Sequence, residues 1–169
     1  MPRPTMHTIV SRVLRAFDCI KAPAVAHAHC DIPCGIYDPH LMQIAALTVI
    51  RMNQLIDGLD DDAAKTKANL PRYILVKEEY AELVKREARV IWGDYFKPEH
   101  LEKHKDLHQV TWDIMKLAGK NRQEIDSQAA QDLLAATHRF AEIFWDTKGV
   151  ATKKQPSHQA AGGELVVPA

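Results

Sequence analysis

Apolar side chains recur at helical spacing through most of this chain, in four segments between residues 38 and 149. Asp38-Pro39 is typical of a helix start, because aspartate accepts hydrogen bonds from free amides and proline suits the first helical turn. The predicted helices begin near Pro39, Pro71, Leu101 and Ser127 and end near Gly58, Tyr95, Gly119 and Gly149. Amphipathic helices with short connections bury their apolar faces against one another. The pattern therefore predicts an all-α fold, an antiparallel up-down-up-down four-helix bundle.

The segments on either side of the predicted bundle have a different character. Residues 1–28 carry four basic residues and one acidic residue, a net charge of +3, and end in the small-residue sequence Ala26-His27-Ala28. Charged residues interrupt the apolar stretch that an export signal requires. We therefore predict a leader over residues 1–28 that is removed without export, with a basic amphipathic targeting peptide as the alternative. Residues 29–149 form the bundle, and residues 150–169, which lack periodicity, are predicted to be a disordered tail.

Composition excludes several classes of protein. Lys and Arg number 22 and so do Asp and Glu, which argues against a nucleic-acid partner. No apolar run reaches the roughly 18–20 residues that span a bilayer, so we expect no membrane partner. Three cysteines are an odd number and argue against a secreted disulfide framework. We expect a cytoplasmic protein.

His29, Cys30 and Cys34 lie within six residues of one another, just after the predicted leader. The two cysteines could form a disulfide across a tight loop, or supply half of a zinc site. Cleavage before His29 would create a richer donor set: its α-amine and imidazole, the Cys30 amide nitrogen and two thiolates. Amine, amide and two thiolates in a plane suit Ni(II) or Cu(II), and the imidazole could bind axially. A hook of this kind could serve catalysis, or it could belong to a helical bundle that binds nickel or copper without catalysis.

Two other motifs are weaker. His100, His104 and His108 recur every four residues and predict a stripe on one helix, either a polar face or a minor candidate for metal capture. Glu102 does not occupy the glutamate position of the HExxH zinc-protease motif. The aromatic segment from Trp92 to Pro98 could plug the core or line a neighbouring site.

The hook and two later segments together resemble the nickel superoxide dismutase family. The matching hook is His29-Cys30-Asp31-x-Pro33-Cys34-Gly35-x-Tyr37-Asp38-Pro39. Further matches are Trp92-x-Asp94-Tyr95-Phe96-Lys97-Pro98 with His100, Leu107-His108-Gln109, and Ile143-Phe144-Trp145 with Thr147-Lys148. The resemblance covers residues 29–148 in a single order.

The resemblance implies a homohexamer of four-helix bundles with one nickel ion per subunit, formed after a processing protease removes the leader. It implies dismutation of superoxide to dioxygen and hydrogen peroxide by Ni(II)/Ni(III) cycling. His29, Cys30 and Cys34 would be the metal ligands, and Tyr37 and Tyr95 catalytic residues near the open axial face. The family's glutamate and arginine that bracket the axial imidazole correspond to Ala45 and Tyr80 here.

Overall fold

The computed structural model describes residues 35–60 and 64–169. The predicted leader and the proposed ligands His29, Cys30 and Cys34 lie outside the described residues. The elements are α1 (His40–Asp57), α2 (Ala64–Val90), a π-helical turn (Ile91–Tyr95), α3 (Pro98–Lys103), α4 (Leu107–Gln123), α5 (Ser127–Thr147), β1 (Thr152–Pro156) and β2 (Glu164–Pro168). No helix in these described ranges is both long and apolar enough to cross a bilayer.

The four long helices pack in a closed order around one apolar core. α1 contacts α2, α2 contacts α4, α4 contacts α5, and α5 contacts α1 again. The largest fully buried apolar side chains are Met42, Ile91, Leu107, Ile114, Leu133, Phe140, Ile143 and Phe144. Their burial supplies the main favourable free energy of folding. The described part of the chain is therefore mostly helical, as the periodicity predicts.

A buried lysine joins α2 to the end of α4. Lys77 is 1% exposed, and its Nζ donates to the carbonyl oxygens of Asn121 and, at 2.6 Å, Glu124. Carbonyls at a helix C-terminus lack intrahelical partners and favour a cation. Burial lowers the pKa of Lys77, and the neighbouring Glu78 carboxylate opposes this shift.

Three helix boundaries differ from the prediction: the start of the second helix, a break within the third, and the end of the third. α2 begins at Ala64, so Pro71 lies inside the helix and not at its start. The predicted third helix is two helices, because the chain leaves helical geometry at His104 and enters α4 at Leu107. α4 then continues through Gly119 to Gln123. Packing against neighbouring helices outweighs the modest helix-breaking tendency of a single glycine.

The C-terminal segment corrects both the disordered-tail prediction for residues 150–169 and the purely α fold class. β1 and β2 form an antiparallel hairpin in which Lys154 pairs with Val166. Leu165 and Val166 are buried against the helices. β1 reads Thr-Lys-Lys-Gln-Pro, which lacks the apolar alternation of an ordinary strand. Tertiary contacts stabilise the hairpin, so local periodicity did not reveal it.

The buried His138 on α5 forms a hydrogen bond to the hairpin. The side chain is 8% exposed, and Nε2 donates to the Glu164 carbonyl oxygen at 2.9 Å. Burial lowers the pKa of His138 and Lys154 adds to this shift, whereas the Glu164 hydrogen bond and the carboxylates of Glu142 and Glu164 oppose it.

Because the folded pKa of His138 lies below its ordinary value of 6.5, the unfolded chain takes up the proton first. The free energy of unfolding should therefore fall as pH decreases through 6.5 towards 5. Thermal unfolding at pH 7.5 and pH 5 should show a larger loss of Tm for the native chain than for His138→Gln. Other groups titrate equally in both proteins, so equal losses would contradict this role of His138.

Candidate metal centre

Two tyrosines predicted to be catalytic lie against each other in the described part of the chain. The ring centroids of Tyr37 and Tyr95 are 5.6 Å apart, with the rings inclined by 51°. Both side chains are partly buried and pack against the core. Tyr37 precedes α1, and Tyr95 ends the π-helical turn after α2. Residues 58 positions apart in sequence thus form one aromatic surface.

The π-helical turn determines where Tyr95 lies. Phe96 N donates to Ile91 O at 3.2 Å, closing a turn one residue wider than an α-helical one. Phe96 and Lys97 are then extended, as expected for residues that lead into Pro98. π-helical turns are frequent at functional sites.

The hydroxyl of Tyr95 has a defined role in a short hydrogen-bond chain. Thr147 Oγ1 donates to Phe144 O at 2.6 Å, and lies 2.8 Å from Tyr95 Oη. A threonine hydroxyl carries one proton and a carbonyl oxygen only accepts. Tyr95 is therefore the donor to Thr147. Its phenolic oxygen retains lone pairs that can accept a hydrogen bond from a water molecule or ligand.

Further aromatic rings surround Tyr95. Its centroid lies 4.7 Å from that of Phe144 and 5.3 Å from that of Phe96. The His100 ring is nearly parallel to it, at 5.6 Å and 23°. These contacts bring together α5, α3 and the turn that leads into α3. The aromatic segment near residue 95 thus both packs the core and lines the tyrosine pair.

Lys148 adds a positive charge to this surface. Its Nζ lies 4.9 Å from the ring centroid of Phe144, 5.5 Å from that of Tyr95 and 6.0 Å from that of Trp145. Within residues 35–60 and 64–169, no carboxylate forms an ion pair with it. Aromatic faces attract a cation without neutralising it. Lys148 therefore places beside Tyr95 a positive charge with which no carboxylate of the described ranges pairs.

The predicted single stripe of His100, His104 and His108 was wrong, because the helix breaks at His104. His104 Nε2 lies 2.7 Å from the Asp146 carboxylate, and His108 Nδ1 accepts a hydrogen bond from Trp92 Nε1 at 3.2 Å. Among the described residues, no cluster of three or more histidine, cysteine or acidic side chains could hold a metal ion.

The Asp146 carboxylate connects the end of α5 with the end of α3. Its Oδ2 lies 2.6 Å from Lys103 Nζ as well as close to His104. The hydrogen bonds from Lys103 and His104 lower the pKa of Asp146. This pairing neutralises the carboxylate of a residue that lies two positions before Lys148 in sequence.

The two positions that depart from the family pattern lie in helices that pack together. Ala45 on α1 is fully buried. Tyr80 on α2 is partly buried and packs against the core. The methyl group of Ala45 cannot donate or accept a hydrogen bond, whereas the Tyr80 hydroxyl can do both.

The spacing of three residues near the end of α5 already indicates in the sequence that they share one face of this helix. Phe144, Thr147 and Lys148 are spaced i, i+3 and i+4, so they occupy one face of the last turn of α5. The pairing of that face with Tyr95 could not be read from spacing, because it depends on the π-helical turn.

The chemistry of the proposed donor set is compatible with nickel. Thiolate sulfurs from Cys30 and Cys34 with nitrogen donors from residues 29 and 30 form a soft, strongly donating set. Thiols and an amine bind metal only when deprotonated, so binding would release protons. The residues present therefore fit a nickel ion.

Comparison with known proteins agrees with this chemistry. The profile of the family described as nickel-containing superoxide dismutase matches residues 24–148. The superoxide dismutase [Ni] of Streptomyces coelicolor is 39% identical over 128 residues, 75% of this chain and 94% of that protein. That of Streptomyces seoulensis is 35% identical over the same shares.

Solved structures give the same result. The native structure of nickel superoxide dismutase aligns with a TM-score of 0.65 and 37% identity, over 72% of this chain and 99% of that one. An apo structure of nickel superoxide dismutase aligns with a TM-score of 0.62 and 35% identity, over 68% and 99%. The chain belongs to the nickel-containing superoxide dismutase family, an oxidoreductase family whose metal is nickel.

Proposed function

We propose that this enzyme dismutes superoxide by Ni(II)/Ni(III) cycling at a hook made of His29, Cys30 and Cys34. The observation that carries the proposal is the hook sequence itself, which lies inside the family-matched segment and directly precedes Tyr37. Residues 1–23 lie outside that segment, in keeping with a leader that a protease removes. Removal of residues 1–28 would expose the α-amine of His29.

Each ligand residue has a separate role in this proposal. His29 would supply its α-amine and imidazole, Cys30 its amide nitrogen and thiolate, and Cys34 the second thiolate. Nickel, when bound, supplies the electron exchange that oxidises one superoxide to dioxygen and reduces another to the peroxide level. Anionic thiolate and amide donors stabilise the higher oxidation state and make that exchange accessible.

The second half of the reaction consumes two protons, because superoxide that has been reduced to peroxide leaves as hydrogen peroxide. Tyr95 has its proton directed to Thr147, so its oxygen is suited to accept from and orient a water molecule. Tyr37, which contacts Tyr95, follows Cys34 by three residues in sequence. We infer that the pair orders water and restricts the approach of larger anions.

Charge on this surface favours an anionic substrate. Lys148, with which no carboxylate of the described residues pairs, lies beside Tyr95, and Lys97 follows Tyr95 two residues later. Removal of residues 1–28, with a net charge of +3, from a chain of formal net charge zero would leave a net charge of −3. Local positive potential therefore matters more than net charge for attracting superoxide.

The setting of the hook completes the proposal. The four long helices would serve as an antiparallel bundle that carries the N-terminal hook, and the subunits would form a homohexamer in the cytoplasm. Exposed tryptophans, Trp92 at 40% and Trp112 at 59%, give apolar surface that such an assembly could bury. Light scattering on the processed protein would determine the number of subunits.

Processing should control activity. Nickel binding and superoxide removal should be strong for a chain that begins at His29 and absent for the 169-residue chain. A chain that begins at Ala28 is the matched control, because it has a free α-amine but converts the residue-29 nitrogen into an amide. Pulse radiolysis and metal analysis of all three proteins would measure this. Equal activity of the chains that begin at His29 and at Ala28 would contradict the terminal ligand.

Ligand substitutions should separate binding from turnover. Cys30→Ser and Cys34→Ser should each abolish nickel binding, whereas Cys19→Ser in the precursor should leave the processed protein unchanged. His29→Gln should retain the planar donors but lose most turnover, more than about tenfold, the scale on which supporting groups act at metal sites. Unchanged turnover in His29→Gln would rule out the axial role. A processed, nickel-loaded native protein without activity would indicate a nickel-binding protein that is not a catalyst.

Lys148 should contribute to the capture of superoxide. Lys148→Gln should lower the second-order rate constant by about two- to fivefold at low salt, a modest share of the 10- to 10³-fold range of electrostatic steering. The difference should shrink as ionic strength rises. Lys116→Gln is the matched control, because it removes an equal charge 4.9 Å from the ring of Trp112. Equal effects of both substitutions would assign the change to net charge and not to the position of Lys148.

A further inference from the structure

The C-terminal hairpin is a feature of this chain beyond the segment that defines its family. The family profile ends at residue 148, whereas β1 and β2 occupy residues 152–168. Both strands contact α5, and β2 also contacts α1. The hairpin can therefore act on the rest of the protein through α1 and α5.

Gln43, in the first turn of α1, makes the most specific of these contacts. Its side chain is fully buried. Its Nε2 donates to Val166 O at 3.0 Å, and its Oε1 accepts from Val166 N at 2.8 Å. The side-chain amide thus pairs with β2 in the way that a neighbouring strand would. Breaking either bond would leave a buried polar group unsatisfied, which is costly.

Packing contacts extend this attachment along α1 and across to α5. A methyl group added at Gly163 would lie 3.1 Å from Leu47 Cδ2 and 3.3 Å from Leu134 Cδ2. The glycine turn therefore lies directly on both helices. Gln54 Nε2 donates to Ala161 O at 3.0 Å, so the hairpin holds α1 over about three turns.

The start of α1, which Gln43 joins to the hairpin, closely follows the hook in sequence. Residues 35–39 alone separate Cys34 from His40, the first residue of α1. The main-chain Gln43 N donates to Pro39 O at 3.4 Å, which closes the first turn of α1. A helix terminus frays readily unless tertiary contacts stabilise it. Movement of this first turn would move the point from which the hook extends.

We propose that the C-terminal hairpin is an intramolecular clamp on the first turns of α1, with Gln43 as a positioning residue for the nickel hook. The inference rests on the proposed function, since it assigns the clamp to the same hook. The hairpin limits fraying of the first turn of α1, to which the hook is joined in sequence by residues 35–39.

Two substitutions test the clamp in the processed chain that begins at His29. Gln43→Met removes both hydrogen bonds at similar volume. Gly163→Ala pushes the hairpin away from Leu47 and Leu134. Gly162→Ala is the matched control, because both glycines have positive φ, +76° and +74°, but no heavy atom lies within 4 Å of the added methyl at Gly162.

Hydrogen–deuterium exchange of the apo-protein should report the clamp without any metal. Amides of residues 40–47 should exchange at least about threefold faster in Gln43→Met and Gly163→Ala than in the native chain and in Gly162→Ala. In the nickel-loaded proteins, transfer of nickel to a chelator should be faster in the same two variants. Faster exchange of residues 152–168 with unchanged exchange of residues 40–47 would overturn the clamp.

The two proposals fail in different ways. A native processed chain that binds no nickel would overturn the proposed function and the assignment of the clamp to the hook. A native chain that binds nickel, with chelator transfer rates that are equal in all variants, would overturn the positioning role of Gln43 alone.

Discussion

The proposed nickel ligands all precede residue 35, and the chain continues from them in sequence into the first turn of α1. Two contacts hold residues 37–43 against segments that lie far away in sequence. The Tyr37 ring packs on Tyr95, and Gln43 pairs with Val166. Pro39, between them, is buried at the start of α1. These contacts fix the short segment that follows the proposed ligands in sequence.

Tyr95, which Tyr37 contacts, is itself fixed by the π-helical turn and by α5. The π-helical turn closes through Phe96 N and Ile91 O, and the Tyr95 hydroxyl donates to Thr147 at the end of α5. The aromatic contact with Phe144 adds a second connection to α5. Because the hydrogen bond to Thr147 fixes the donor direction of the phenol, the open side of its oxygen is left to accept. The hydrogen bond to Thr147 thus determines that the Tyr95 oxygen acts as an acceptor towards other groups.

Much of the helical fold was predictable, because the helical spacing of apolar side chains can be read directly from the local sequence. Predicted helix boundaries failed where tertiary packing outweighs local preference, as at Pro71 within α2 and Gly119 within α4. The hairpin was missed for a related reason, since the polar β1 gains its order from Gln43 and from buried residues of β2. Tyr37 and Tyr95, which the resemblance assigns to the same face of the site, contact each other, and their catalytic role stays a prediction. The roles of Thr147 and Lys148 required the three-dimensional path of the turn.

Buried polar side chains on α1 anchor main chain from the C-terminal half. Gln43 pairs with Val166, and Asn53 Nδ2 donates to the carbonyl oxygen of Asp126 at the start of α5. Position 45 holds only a methyl group, which can neither donate nor accept a hydrogen bond. A metal-bound imidazole requires an orienting hydrogen bond from its second nitrogen. Were His29 bound to nickel as proposed, Ala45 could not supply that bond, whereas the Tyr80 hydroxyl or a main-chain carbonyl has the required acceptor atom. α1 would then serve as an anchor and not as a source of polar support.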